Sequence, residues 1–325
     1  MAAVFRYARA QQRLPKTLQR VRLEGVTVPT ATSEVFNLTS VFGNYARASQ
    51  RGGLVRFAYS HLPTPDFEFE RSVSTSGGCS EPRFCFTPRQ TIVMLYACAG
   101  NLYERQSTDD GKTWTGEALL VAAAKHPDIA ADSSGLILRA WYAGGLLTAT
   151  RQYPGEAAAG ASFTLKDGGA VNLAVQDDSF RLAPDVRGWW WLHVRIAAAG
   201  ATSLWFSTDD GATFAPTSGA VSGITGGSHP GLAAGHDGTL WAWATVGGVL
   251  RLTRRTSGEA DWSSPATVLD QAAANLTVKD IPSSMALAWE RPQRLILATI
   301  YSTHVGPSDW WSADCGGSFK RFLGT

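Results

Sequence analysis

The sequence predicts an all-β fold built from a repeated unit, and three observations support this prediction. The 325 residues contain 33 Gly, 15 Pro, 12 Trp and 14 Phe, a composition typical of short strands joined by tight turns. An octapeptide occurs three times, and a proline precedes the first strand of each presumed unit. Internal repetition of this kind indicates one ring or array of similar sheets.

The octapeptide reads S-x-D-x-G-x-x-aromatic and stands at residues 107–114, 207–214 and 312–319. Its fixed positions are Ser107, Asp109, Gly111 and Trp114, then Ser207, Asp209, Gly211 and Phe214, then Ser312, Asp314, Gly316 and Phe319. One copy is expected by chance in roughly one chain in a hundred. The pattern resembles the Asp-box (BNR repeat) of sialidase-like β-propellers. The resemblance implies structural loops, in which the carboxylate accepts backbone N–H groups, glycine takes a positive φ and the aromatic ring anchors the loop.

The spacing of the octapeptides predicts the number of blades. They lie 100 and 105 residues apart, which fits two blades of about 45 to 50 residues each. Degenerate copies lie between them, at residues 148–163 and 252–262. The prolines expected to open blades are Pro82, Pro127, Pro184, Pro230 and Pro282. We therefore expect a propeller over residues 32–325, most simply with six blades, while the weak pattern of residues 32–50 leaves five or seven open.

The catalytic residues of sialidases do not carry over to this sequence. The resemblance would require three arginines, a tyrosine nucleophile with a glutamate, and an aspartic acid. Arg13 lies before any credible first strand, Tyr301 falls at the end of a second strand, and Glu290 and Arg291 lie in a turn. The sequence therefore predicts no catalytic residue.

Residues beside the opening prolines are the candidates for a binding site, because the innermost strands of a propeller line its channel. They are Arg83, His126, Asp128, Asp185 and His229. In the alternative interpretation the aspartates cap turns and the histidines only flank prolines. Residues 189–191 are three consecutive tryptophans. Because successive side chains of a strand point to opposite faces, these rings predict packing between blades or contact with a partner or a sugar.

Charge and cysteine content exclude several classes of function. The net charge is +2 and charged residues make up 17%, so we expect no nucleic acid partner. We expect residues 1–31 to form a basic arm outside the ring. We expect no membrane span and no signal peptide, and hence a virion or cytoplasmic protein. The cysteines, Cys79, Cys85, Cys98 and Cys315, have no metal-binding spacing, which predicts free thiols, no metal and no cofactor.

These observations favour a non-enzymatic binding or assembly module. By analogy we expect a structural or receptor-binding component of a tailed-phage virion, such as a tail, fibre or decoration protein. Its partners would be other proteins, bound through the arm and the propeller faces, or a glycan. The alternative is a divergent exo-glycosidase with a rearranged active site.

Overall fold

The structure of the chain is a computed structural model. It describes residues 35–39, 44–61, 67–165, 180–195, 202–217, 224, 228–234, 239–246, 249–255, 262–264, 266–269, 284–289, 294–302, 306–312 and 320–321. The arm at residues 1–31 and most of the third octapeptide lie outside these residues. In this part of the chain no helix is long and apolar enough to cross a lipid bilayer.

The described residues form six four-stranded antiparallel sheets, each in chain order. The first three consist of β1 (Val35–Thr39), β2 (Tyr45–Arg51), β3 (Leu54–Ser60) and β4 (Phe69–Ser72); β5 (Cys79–Phe86), β6 (Ile92–Cys98), β7 (Asn101–Ser107) and β8 (Ala118–Val121); and β9 (Lys125–Ala131), β10 (Ile137–Ala143), β11 (Leu146–Gln152) and β12 (Phe163–Thr164). The last three consist of β13 (Arg181–Pro184), β14 (Trp190–Arg195), β15 (Thr202–Ser207) and β16 (Ala215–Pro216); β17 (Ser228–Ala234), β18 (Leu240–Val246), β19 (Val249–Arg255) and β20 (Ala266–Leu269); and β21 (Ser284–Trp289), β22 (Arg294–Ser302), β23 (Gly306–Ser312) and β24 (Lys320–Arg321).

The six sheets close into a ring through their first strands. The first strand of each sheet contacts the first strand of the next, and β21 of the last sheet contacts β1 of the first. The fold is therefore a six-bladed β-propeller with the first strand of each blade innermost. This confirms the predicted fold class and the blade number that the sequence favoured.

The second strands hold the blades together because both of their faces are covered. All of β6 is buried, and its side chains alternate between two hydrophobic clusters. Met94 packs with Phe57 of the first blade, whereas Leu95 packs with Ile129 of the third. Each fully buried side chain of this kind stabilises the fold by about 1.5 to 3 kcal/mol, so the blades are joined by their apolar faces.

The same alternation explains the tryptophan run. Trp190 belongs to a cluster with Leu138 of the third blade, and Trp191 belongs to a cluster with Leu232 of the fifth. Both rings are at most 1% exposed. Packing between blades, as predicted, accounts for these two residues, while Trp189 is only half-buried.

The loop at residues 107–114 is closed by its own polar side chains. The Asp109 carboxylate accepts the backbone N–H of Thr113 at 2.9 Å and its hydroxyl at 2.6 Å, and the Ser107 hydroxyl at 2.8 Å. These bonds lower the pKa of Asp109 to about 2, and the bond from the Thr113 hydroxyl has the largest effect. Gly111 has φ +84°, and a Cβ there would come within 2.3 Å of the Phe57 ring in the first blade. Glycine is therefore required by conformation and by space.

The loop at residues 207–214 repeats this arrangement. Asp209 accepts the backbone N–H of Thr213 at 2.9 Å and its hydroxyl at 2.7 Å, and Ser207 donates to Asp209 at 2.7 Å. The Phe214 ring is fully buried. Both loops lie between the third and fourth strands of a blade, at the end opposite to the start of the innermost strand.

The structure corrects the expectation of free thiols, because Cys79 and Cys98 form a disulfide. The two residues lie directly opposite each other on β5 and β6, with Cα atoms 4.1 Å apart. Their separation of 19 residues matches no cysteine motif, and only the register of the strands brings them together. Cys85 is a buried free cysteine, as expected, and Cys315 lies outside the described residues.

Candidate functional site

Three charged residues lie at the same level around the axis. Arg83 on β5, Asp128 on β9 and Arg181 on β13 each stand opposite the fourth residue of the second strand of their blade. Arg83 Nε lies 3.9 Å from Asp128 Oδ1. Asp128 Oδ2 accepts the backbone N–H of Leu182 on β13 at 2.7 Å. We call these three charged residues the axial ladder.

The axial ladder is closed to a ligand. Arg83 and Arg181 are each 6% exposed and Asp128 is 1% exposed. Burial raises the pKa of Asp128, and the charges of Arg181 and Arg83 oppose this rise. Each guanidinium group also donates to the carbonyl oxygen of the preceding residue, at 2.7 Å for Arg83 and 2.6 Å for Arg181. These charges therefore connect three innermost strands, and Arg83 and Asp128 do not form the open site that the sequence suggested.

His126 lies nearer the channel mouth, where it pairs with Glu81 of the preceding blade. Its Nδ1 atom is 2.5 Å from Glu81 Oε1, and its backbone N–H donates to Glu81 Oε2 at 2.7 Å. Burial disfavours the ionised form of Glu81, but the hydrogen bonds from His126 outweigh this effect and lower the pKa of Glu81. Both residues have φ above +50°, and both stand at shifts of strand register. Bulges of this kind re-aim side chains beside functional sites.

His229 occupies the corresponding position of the fifth blade, directly before Pro230 on β17. The structure describes its backbone but not its side chain. The prediction that His229 lines the channel mouth therefore stays a prediction.

Asp185 lies at the opposite end of the ring from His126, which corrects its assignment to the same mouth. Pro184 ends β13 instead of opening the blade, so Asp185 belongs to the turn between β13 and β14. Its carboxylate accepts hydrogen bonds from residues of that turn and from the strand that follows. It accepts the backbone N–H of Arg187 at 2.8 Å and of Trp189 at 3.2 Å, and the indole N–H of Trp191 at 3.2 Å.

The same carboxylate orients the guanidinium group of Arg187. Arg187 Nε donates to Asp185 Oδ2 at 2.8 Å, and Nη2 donates to the same oxygen. The guanidinium carbon also lies 4.0 Å from the centre of the Trp189 ring, and that ring stacks on Phe206 at 5.6 Å. A carboxylate on one edge and an aromatic ring beneath therefore fix the plane of the guanidinium group.

This group of residues reaches the surface, unlike the axial ladder. The Arg187 side chain is 39% exposed although that of Asp185 is 1% exposed, and Val186 beside it is 48% exposed. Because Nε and Nη2 face Asp185, the Nη1 edge of the planar fork points away from the carboxylate. We call Asp185, Val186, Arg187, Trp189 and Phe206 the blade-four corner. It offers fixed hydrogen-bond donors next to apolar surface, the combination found in small-molecule sites.

Sequence reasoning found only part of the blade-four corner. It selected Asp185 and named Trp189 within the tryptophan run, but it missed Arg187. The spacing of Asp185, Arg187 and Trp189 across a five-residue connection carried the signal, because an aspartate at the start of such a turn accepts bonds from the residues that follow it. Arg181 was also missed, since phenylalanine and not proline precedes it.

Of the residues compared with the sialidase catalytic set, the structure describes the backbone of one, Tyr301. Arg13, Glu290 and Arg291 lie outside the described residues. Tyr301 falls near the end of β22, the second strand of its blade, as the sequence predicted, and its side chain is not described. In the described ranges, no group of three His, Cys, Asp or Glu residues has the geometry of a metal site.

Comparison with known proteins identifies similar folds. No protein family model and no curated protein sequence matches the chain. A fungal lectin from Aleuria aurantia, described as a six-bladed β-propeller with a fucose recognition mode, superimposes with TM-score 0.61 at 13% identity over 90% of this chain and 95% of that one. AofleA from Arthrobotrys oligospora gives TM-score 0.65 at 10% identity over 90% and 87%. The Hadza microbial sialidase Hz136 gives 0.60 at 12% over 87% and 66%. At these identities the similarity establishes the fold alone.

Proposed function

We propose that this chain is a carbohydrate-binding propeller without catalytic activity, and that the blade-four corner binds the sugar. One observation carries the proposal: the guanidinium group of Arg187 is fixed by Asp185 and Trp189 while more than a third of the side chain stays exposed. A donor fixed in advance loses little entropy when it binds a ligand.

The chemistry of the corner complements that of a sugar ring. Sugars present hydroxyl and ring oxygens at their edges and C–H groups on their faces. The outer edge of Arg187 supplies N–H donors for the oxygens. Apolar surface for the C–H groups comes from the exposed Val186 and from the edge of the half-buried Trp189 ring, since Arg187 and Phe206 lie against the faces of that ring. Lectins and a sialidase adopt the same fold, which supports carbohydrate as the ligand class.

The S-x-D-x-G loops belong to this proposal as structural parts. We assign them to the Asp-box type, because their serine, aspartate and glycine make the same bonds in two blades. Their carboxylates are occupied within the loops, so the loops shape the rim of the propeller and leave ligand binding to other residues.

The binding test uses the purified chain on a glycan array, followed by calorimetry with the glycans that bind. We expect Arg187→Ala to weaken binding about tenfold to a hundredfold, as loss of a hydrogen bond from a charged donor does. The matched control is Arg151→Ala, which removes a guanidinium group lying 4.5 Å over Phe163 on the third blade. Equal loss in both variants, or no glycan bound at all, would refute the assignment of the corner.

A second assay tests the alternative of a divergent exo-glycosidase. The chain is incubated with fluorogenic glycosides, sialosides included, and release of the fluorophore is followed. We expect none. Turnover that disappears in Glu81→Gln or His126→Gln would place the function at the channel mouth and overturn the proposal.

We further propose that the protein works where disulfides persist, because Cys79 and Cys98 are paired and cytosolic thiols are kept reduced. A virion surface satisfies this condition. We propose that the basic residues 1–31 attach the propeller to a phage tail or fibre. The test is incorporation into virions after deletion of residues 1–25. Loss of incorporation with an unchanged melting temperature is expected, whereas normal incorporation argues against the assembly role.

A further inference from the structure

We infer that the blade-four corner selects a neutral sugar in preference to an acidic one. This inference rests on the proposed function and names the ligand class of the same site. It follows from the position of one buried carboxylate relative to one exposed guanidinium group.

The positive charge of Arg187 is already matched inside the protein. One carboxylate oxygen of Asp185 accepts hydrogen bonds from both Nε and Nη2 of Arg187. The Asp185 side chain is only 1% exposed. Asp185 cannot turn away, because the same carboxylate also holds the backbone of Arg187 and Trp189 and the indole of Trp191. The ion pair is therefore a permanent part of the turn.

A ligand carboxylate at the outer edge of Arg187 would be attracted by the guanidinium group and repelled by Asp185 behind it. It would also lose hydration on entering the site. Hydroxyl oxygens avoid the repulsion and have a smaller hydration cost. With its charge compensated, the guanidinium edge acts chiefly as a pair of fixed hydrogen-bond donors, and such a pair favours neutral acceptors.

The geometry of the fork narrows the ligand further. On the outer edge of Arg187, one N–H of Nη1 and one N–H of Nη2 are parallel. These two donors fit two acceptor oxygens carried by neighbouring atoms of the ligand. The apolar part of the corner consists of Val186, which is exposed and precedes Arg187 in the chain, and Trp189, whose ring lies against the guanidinium plane. The ligand class is thus a neutral sugar unit with two adjacent oxygens on one edge and an unsubstituted C–H face.

The experiment compares ligand pairs that differ only in charge, such as glycosides ending in galactose and in galacturonate, or in glucose and in glucuronate. Affinities are measured by calorimetry at 50 and 500 mM NaCl. We expect the neutral member to bind at least tenfold more tightly, with a Kd that changes less than about twofold with salt, because screening acts on charged pairs.

Two substitutions sharpen the test. Asp185→Asn removes the compensating charge at nearly constant volume, so the acidic member should gain at least tenfold relative to the neutral one. Arg187→Lys keeps the charge but removes the fork, so neutral binding should fall at least tenfold. If Asp185→Asn does not fold, two measurements still test the preference for a neutral sugar: the salt dependence of binding by the wild-type protein, and the affinity of Arg187→Lys for the neutral ligand.

The outcomes separate this inference from the proposed function. Tighter and salt-sensitive binding of the acidic member, abolished by Arg187→Ala, would overturn the neutral class and leave carbohydrate binding at the corner intact. Neutral binding that survives Arg187→Lys would overturn the argument from the fork. Absence of binding to every glycan, neutral or acidic, would instead refute the proposed function.

Discussion

The axial ladder and the blade-four corner are both built from arginine and aspartate, yet they differ in what they can do. In both the carboxylate is buried: the side chain of Asp128 is 2% exposed and that of Asp185 is 1% exposed. The difference lies in the guanidinium groups, since the side chain of Arg83 is 7% exposed and that of Arg187 is 39% exposed. A buried ion pair joins parts of the fold, whereas a pair with one partner at the surface can present that partner to a ligand.

The position of each pair in the blade explains this contrast. The ladder lies on innermost strands, where the first strands of neighbouring blades contact each other and its three side chains are buried. The corner lies in a turn beyond the end of an innermost strand. Turns of this kind reach the surface and carry function on a rigid scaffold. The predictions below test whether the two regions are as separate as this comparison requires.

The largest expected effect is that of Asp128→Asn, which leaves the buried Arg83 and Arg181 without their shared carboxylate. Breaking a buried ion pair on one side costs about 3 to 5 kcal/mol of the free energy of unfolding. The matched substitution Asp185→Asn should cost about 1 to 2 kcal/mol, because water can solvate the exposed Arg187. Urea denaturation of both variants measures the difference, and equal costs would contradict the comparison.

The disulfide near the channel mouth should have the next largest effect. Reduction of Cys79–Cys98, which closes a loop with a sequence separation of 19, should lower the free energy of unfolding by about 3 kcal/mol. Thermal denaturation with and without reductant measures this loss, and Cys79→Ser/Cys98→Ser serves as the control that reductant no longer affects. Below the melting transition, glycan binding at the corner should not change with reductant. A loss of binding in the folded, reduced protein would show that the two regions are coupled.

Acid should destabilise the propeller through His193, which is fully buried on β14. Its Nδ1 lies 2.9 Å from the carbonyl oxygen of Gly231 in the next blade, and burial lowers the pKa of His193 from 6.5 to about 4. The unfolded chain therefore binds a proton below pH 6.5 that the folded chain does not bind until about pH 4. His193 does not reduce the free energy of unfolding when the pH is well above 6.5. Through this residue, the free energy of unfolding should fall by about 2 kcal/mol by pH 5.

Urea denaturation between pH 7.5 and 5 measures this dependence. His193→Gln removes the titrating group and keeps a donor toward Gly231, so its stability should vary less with pH than that of the wild type. An unchanged slope in this variant would show that other groups cause the acid sensitivity.

The sequence predicted the strands well where the pattern was local. Alternating apolar residues and flanking turn residues mark strands at residues 54–60 and 240–244, where the structure has β3 and β18. Contacts set by register or by turn geometry were not predictable in the same way. Cys79 and Cys98 pair because two strands align them, and Asp185 was placed at the wrong mouth because Pro184 was interpreted as the first residue of a blade.

The smallest expected effect concerns the two S-x-D-x-G loops, whose hydrogen bonds stay on the surface. Asp109→Asn and Asp209→Asn should each lower the free energy of unfolding by about 1 kcal/mol, because one acceptor of the loop is replaced by a donor and water can compensate. The two losses should be similar, since the bonds to Thr113 and Thr213 have nearly the same lengths. Urea denaturation measures both, with Thr108→Ala, a substitution of an exposed residue in the first of these loops, as the control. A cost as large as that of Asp128→Asn would mean that these surface carboxylates hold the ring together as the axial ladder does.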